Sequence, residues 1–232
     1  MENRFKNYAK LIIKNIEGGY YNPKYHYTAA MGKSGETMFG MDRAWGGTDV
    51  NDSAAGKKFW SIIDSANKSG SWKHGYYGGS NEGTLRNLAA EIMYNRYQKY
   101  SKQYLTDKAR KIVAKSPRLE SHLYYGCWNG SVRFKDFANA INDAVKKGIT
   151  TLKSLEQVAL NSRLNYGVSL IRTGGAKMRD KIWTQLPDRN TSLAWLWWTL
   201  GIVAISGVGY YGYKHNWHTI IINKVKNGYN KR

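Results

Sequence analysis

The sequence predicts a mainly α protein with a small β-hairpin and one C-terminal transmembrane helix. Three observations lead there. Apolar residues recur at helical offsets in stretch after stretch, alternation of period two appears only in short pieces, and one run of about twenty residues near the C-terminus carries no charge. At 232 residues the chain is long enough to bury a sizeable core and make one domain with an appendage, or two small domains.

Phe5, Ala9, Ile12, Ile13 and Ile16 lie on one face of a first helix, and Gly18-Gly19 follow where a helix stop uses a residue of positive φ. Glu17 is then the last helical residue or close to it, on the flank of the apolar stripe. Partial desolvation and the negative end of the helix dipole both favour its protonated form there. A general acid needs that raised pKa, while an ordinary helix-end glutamate is simply solvated surface. The turn-rich residues up to Gly40 predict the hairpin. In the following M-D-R-A-W-G-G, Asp42 is expected to cap or pair with Arg43, or to contact sugar or position water.

Ala55, Phe59, Ile62, Ile63 and Ala66 predict a second helix, with Asp52 or Ser53 as N-cap. The loop G-S-W-K-H-G-Y-Y-G-G at 70–79 sets aromatics between glycines, which suits stacking of Trp72 on sugar rings and equally suits a loop folded on the core. A helix over 83–100 follows, with Leu85, Leu88, Ala89, Ile92, Met93 and Arg96 in phase, continued by a basic helix over 102–115 that ends near Ser116-Pro117. The stretch L-Y-Y-G-C-W-N-G at 123–130 breaks periodicity and is a second candidate for lining a cleft, with Tyr125 as a substrate contact. Helices over 134–147 and 152–162 are separated by Gly148, and a last segment over 166–183 holds Gly174-Gly175.

The formal charge of +20 arises from 36 basic and 16 acidic residues spread along the chain. Anionic bilayers, anionic cell wall and nucleic acid all attract such a charge. No Walker loop, zinc-finger spacing or C-x-x-C pair accompanies it, so no specific nucleic acid is expected. The lone Cys127, beside Tyr125, Gly126 and Trp128, reads as a buried structural thiol rather than a nucleophile. The five histidines are scattered, so neither a metal site nor a cofactor is expected. Charged and polar residues interrupt the N-terminal apolar pattern, and no secretory signal peptide is expected.

The uncharged run opens at Leu193 and closes at Tyr213. At ~1.5 Å per residue it spans a hydrocarbon core of ~30 Å. Trp195, Trp197 and Trp198 gather at one end and Tyr210, Tyr211, Tyr213 and Trp217 at the other, as in interfacial aromatic belts. Gly201, Gly207, Gly209 and Gly212 offer a small-residue face for self-association. The flanking charges do not decide orientation.

The segment Glu17-Gly18-Gly19-Tyr20, followed by Gly35-Glu36-Thr37-Met38-Phe39-Gly40-Met41, resembles the opening motif of the glycoside hydrolase family 108 muramidases, phage-type lysozymes with an E-G-G-Y start and a G-G-E-T-x-x-G-I continuation. The resemblance covers about the first fifth of the chain and departs from the pattern at Ser34 and at Tyr25-His26-Tyr27. It implies a lysozyme-like, mostly helical fold, peptidoglycan as substrate, and Glu17 as the catalytic acid. Glu36 is the next carboxylate, a base or nucleophile according to its distance from Glu17, or a structural acceptor that fixes the hairpin turn. Thr37 is placed to orient water or sugar, and Tyr20 to contact substrate.

The expected organisation is a lysozyme-like peptidoglycan-degrading domain over 1–187, a linker and transmembrane helix over 188–213, and a basic tail over 214–232. The expected function is hydrolysis of the β-1,4 MurNAc-GlcNAc bond by a membrane-anchored enzyme of bacteriophage lysis or entry, in the host membrane or a viral internal membrane. A lytic transglycosylase using the same acid is the nearest alternative. A non-enzymatic basic membrane or virion protein is the alternative from another class.

Overall fold

The computed structural model describes residues 1–24, 35–44 and 46–187. The predicted transmembrane run, the basic tail, Ser34 and Tyr25-His26-Tyr27 lie outside the described residues. Among those residues no helix is long and apolar enough to cross a membrane. The chain divides after Arg189, and the fold below belongs to the unit Met1–Arg189.

Among the described residues the fold is mainly α. Helix α1 (Asn3–Asn15) precedes the hairpin of β1 (Thr37–Met38) and β2 (Met41–Asp42). Then follow α2 (Thr48–Asn51), α3 (Ala54–Ala66), α4 (Glu82–Tyr104), α5 (Asp107–Val113), α6 (Pro117–Gly126), α7 (Gly130–Lys146), α8 (Leu152–Leu164) and α9 (Ser169–Lys177).

Helix α4 is the pillar. Its buried residues, among them Leu85, Leu88, Ala90, Met93, Tyr97 and Tyr100, fall on several sides, the pattern of a helix surrounded by others. It packs against α1, α3 and α7, while α6 joins α1, α7 and α8, and α8 carries α9. The amphipathic helices do the reverse of α4. In α1, Phe5, Tyr8, Ala9, Ile12 and Ile13 are buried while Lys6, Lys10 and Lys14 stay in water. Phe5 sits in an aromatic cluster, with ring centroids 4.9 Å from Tyr94, 5.1 Å from Tyr97 and 5.3 Å from Tyr124.

Side-chain caps set the boundaries. Ser53, Thr106, Ser116 and Thr151 each accept a hydrogen bond from a backbone N–H in the first turn of the helix they precede. Thr106 accounts for one difference from the sequence reading. The continuous basic helix expected through residue 115 is broken at extended Leu105, and α5 starts anew behind the Thr106 cap. Pro117 opens α6 at a position where its missing N–H costs nothing. The stretch 123–130, read as a break in periodicity, is the last turn of α6 followed by a 3-10 turn, Cys127–Asn129. Cys127 is buried, as expected of a structural thiol.

The end of α1 also differs from expectation. The helix stops at Asn15, and the N–H groups of both Ile16 and Glu17 donate to the carbonyl of Ile12, at 2.8 and 3.0 Å. Neither Gly18 nor Gly19 has positive φ. Gly19 is instead required by close approach, since a Cβ there would stand 2.6 Å from the carbonyl carbon of Gly75. Glu17 therefore lies two residues past the helix, in the bend that leads to Tyr20 and Tyr21, which pair with the 70–79 loop and β1.

Ser116 joins two jobs in one buried hydroxyl. It accepts from Leu119 N–H at 3.1 Å and donates to Glu156 of α8 at 2.7 Å. Ser116→Ala removes a cap and leaves a buried carboxylate oxygen short of a donor, and is expected to cost about 2–3 kcal/mol. Urea denaturation measures this, with a lower midpoint and an unchanged slope.

Candidate active site

The hairpin turn packs against Glu17. Phe39 and Gly40 both have positive φ, 55° and 71°, as a tight two-residue hairpin connection requires. Phe39 meets that demand as a residue with a side chain, and the turn is pinned by Trp128, whose indole N–H donates to the Phe39 carbonyl at 2.8 Å. At Gly40 only hydrogen fits. A Cβ there would overlap a carboxyl oxygen of Glu17 and stand 2.6 Å from its Cδ and 2.9 Å from the Trp128 ring.

Gly40 and Trp128 both line a cleft of about 310 Å³, walled by β2, α4, the Cys127–Asn129 turn and the start of α9. Asp42, Arg96, Asn129 and Arg133 give it polar groups, and Met93, Ile171 and the well-exposed Leu170 give it apolar ones. The Glu17 carboxyl packs against Gly40, which lines the cleft, while Glu17 itself is not among the lining residues.

Protein packed around Glu17 raises its pKa from 4.5 to about 7 by desolvation. Three groups pull the other way: a hydrogen bond from the Tyr125 hydroxyl and the charges of Lys177 and Arg163. Tyr125 is itself buried at the end of α6. Its hydroxyl fits because residue 174 in α9 is glycine, where a Cβ would stand 2.6 Å away. Arg163 of α8 is fully buried, its guanidinium lying 4.4 Å from the Tyr125 ring centre and 4.1 Å from that of Phe137. It donates to Asn129 Oδ1 at 2.7 Å and to the His122 carbonyl at 3.3 Å. Burial lowers Arg163 to about 10, which still leaves it protonated at neutral pH. His122, buried beneath with both ring nitrogens unpartnered, is kept neutral by burial and by that cation.

A second arginine braces the opposite wall. Arg96 grips Asp49 through two hydrogen bonds of 2.8 Å, donates to the Cys127 carbonyl at 3.0 Å, and reaches the Gly46 carbonyl. The loop after the hairpin, α2 and the Cys127–Asn129 turn are thus tied to α4 by one side chain.

The other residues singled out from the sequence divide into two sets. Tyr125 and Asp42 are at the site, Tyr125 on Glu17 and Asp42 in the cleft. Asp42 accepts from the N–H groups of Gly35 at 3.1 Å and Ala44 at 2.7 Å. Glu36, Thr37, Tyr20 and Trp72 form the hairpin's support. Glu36 accepts from the Tyr20 hydroxyl at 2.6 Å and pairs with Arg43 at 3.0 Å, so it fixes the hairpin through side chains rather than through backbone N–H groups. Thr37 exchanges backbone hydrogen bonds with Tyr21 and pairs with Asp42 across the hairpin. Tyr20 and Trp72 are buried and meet edge to face at 5.4 Å, so Trp72 takes the core-packed of its two expected roles.

Sequence reasoning passed over Arg96 and Arg163 as site residues, and reached Trp128 and Asn129 only as part of the cleft-lining stretch 123–130. The signal was present for the two arginines, each of which falls in phase with the apolar residues of its helix. An arginine there is either misplaced or holding something.

Comparison with protein-family models, curated proteins and solved structures found no match.

Because the folded chain holds a proton on Glu17 that the unfolded chain releases above pH 4.5, stability falls as pH rises from about 4.5 to about 7. At ~1.4 kcal/mol per pKa unit this amounts to about 3 kcal/mol. Glu17→Gln is expected to be the more stable protein by about that amount at pH 8 and by little at pH 4, as read from denaturation midpoints across pH. Tyr125→Phe removes a hydrogen bond that favours the carboxylate, so it is expected to move the Glu17 titration upward. Carboxyl-carbon NMR of Glu17 follows it directly.

Proposed function

We propose that the chain is a muramidase, in a lysozyme-like arrangement, that cleaves the β-1,4 bond between N-acetylmuramic acid and N-acetylglucosamine in peptidoglycan. The observation that carries the proposal is the state of Glu17. It is a carboxyl group whose pKa is raised to about 7 by desolvation, packed against a glycine that lines a cleft, within an E-G-G-Y segment. Such a group donates a proton to a leaving oxygen and is recharged from solvent, which is the work of a glycosidic general acid. Asp42 is the cleft's own carboxylate, and the N–H groups of Gly35 and Ala44 aim it. In this proposal Glu17 is the acid, Asp42 steers the attacking water, and Tyr125 and Arg163 are positioning residues that set the proton affinity of Glu17.

One observation favours a lytic transglycosylase instead. Glu36 is engaged by Tyr20 and Arg43, and a transglycosylase needs no second carboxylate, because the 6-hydroxyl of the sugar closes the ring. The uncharged run over 193–213 would anchor either enzyme to a membrane, in keeping with phage lysis or entry.

The test is loss of turbidity of purified peptidoglycan with the full chain in detergent, beside Glu17→Gln, with mass spectrometry of the fragments. The variant is expected to lose activity by about 10²–10⁴-fold, the usual worth of a general acid. Reducing ends identify the hydrolase and anhydro-muramic ends the transglycosylase. Equal inertness of both proteins on walls from several hosts would sink the enzymatic reading.

A further inference from the structure

The exposed face of α1 and the first half of α4 enclose a second concavity, a groove of about 620 Å³. Lys6, Lys10 and Lys14 line one side. Spaced four residues apart, they stand on one helix face about 6 Å from each other along the axis. All three are exposed, and among the described residues no carboxylate pairs with any of them. Like charges at this spacing repel by about 0.2–0.5 kcal/mol per pair, a cost with no return inside the fold. Facing them is Arg86 of α4, fixed over the rings of Phe39 and Tyr77 at 5.1 and 5.2 Å and bonded to Glu82 at 2.7 Å. Glu82, the one acid in the lining, is therefore already engaged. Asn7 and Asn87 add amides.

Such a groove takes a chain of spaced anions. Among the described residues its lining contains no aromatic ring, so they offer nothing for nucleic-acid bases to stack on. The amides beside the lysines suit hydroxyl groups between the phosphates. We propose that the groove binds a polyol phosphate polymer, the phosphodiester chain carried on bacterial walls, and holds the enzyme on its substrate surface while Glu17 works elsewhere. The choice of a wall-borne polymer rests on the muramidase reading; the anion groove itself rests on the lysine row.

The experiment uses the full chain in detergent with Glu17→Gln, so that cutting cannot mask binding. Sedimentation with purified walls is compared before and after hydrofluoric acid removes the polyol phosphates. Binding is expected to fall at least tenfold after extraction, and equally on intact walls when Lys6, Lys10 and Lys14 are all changed to Gln. The triple change to Arg should retain binding. The Gln variant should keep or slightly raise its thermal midpoint, as the repulsion between the lysines is relieved, and lose about 2 from the slope of log K against log salt, taking ~0.7 per phosphate contact of a single strand.

Equal binding to extracted and intact walls overturns the proposal. So does a triple variant that loses affinity for single-stranded DNA or anionic vesicles while holding walls as before. Wild-type chain that cuts glycan but ignores the polymer would leave the muramidase standing without the groove. Chain that holds the polymer through these lysines and never cuts would do the reverse.

Discussion

The desolvation of the Glu17 carboxyl is the constraint on which the arrangement around the hairpin depends. Desolvation alone would push the group's proton affinity higher still. The Tyr125 hydroxyl and the positive charges of Arg163 and Lys177 draw it back to about 7. Those groups come from the end of α6, from α8 and from the end of α9. None could stand there unless the hairpin turn, the Cys127–Asn129 turn and α9 also took the places they do. The site is thus a point of convergence for α6, α8 and α9, which also pack on one another through α8, with the hairpin turn.

The electrostatics are costly on their own terms. A fully buried arginine, a neutral buried histidine with unpartnered nitrogens and a half-protonated carboxyl are features that hydrophobic replacements would improve on for stability. Stacking of Arg163 between Tyr125 and Phe137 offsets part of its desolvation, and its bonds to Asn129 and the His122 carbonyl satisfy part of its donor fork. What remains is a cost that packing elsewhere in the fold must offset. The Glu120 cluster makes the contrast. There the carboxylate takes hydrogen bonds from Arg4 at 2.8 Å and Tyr8 at 3.1 Å, away from the cleft, and ties α1 to α6.

Much of this was legible in the sequence. Helical periodicity located most of the helices, Ser53 and Pro117 marked two boundaries, and the turn-rich segment announced the hairpin. The chain reads well wherever structure follows from neighbours in sequence. It reads poorly at Leu105, where extended backbone and a threonine cap override a continuous helical pattern, and at Gly19, where the glycine answers to the backbone of Gly75 rather than to its own φ. The same limit divides the site. Glu17 and Tyr125 could be singled out from their local settings, but the pairing of Glu36 with Arg43 and Tyr20, and the convergence of Asn129 and Arg163, join residues 7 to 34 positions apart. Trp72 had two local readings of equal weight, and only its contact with Tyr20 decides between them.

The turn at Phe39-Gly40 carries one more implication. A hairpin turn with positive φ ordinarily tolerates asparagine or aspartate in place of glycine. Position 40 does not have that freedom, because any side chain would enter the space of the Glu17 carboxyl. Residues 17 and 40 therefore form a single unit of variation. A chain that gives up the glutamate for a shorter residue regains a choice of turn, and a chain that keeps it is bound to glycine. In sequences that share this fold, the loss of glycine at the hairpin would mark the loss of the acid, even where the rest of the helical frame is intact.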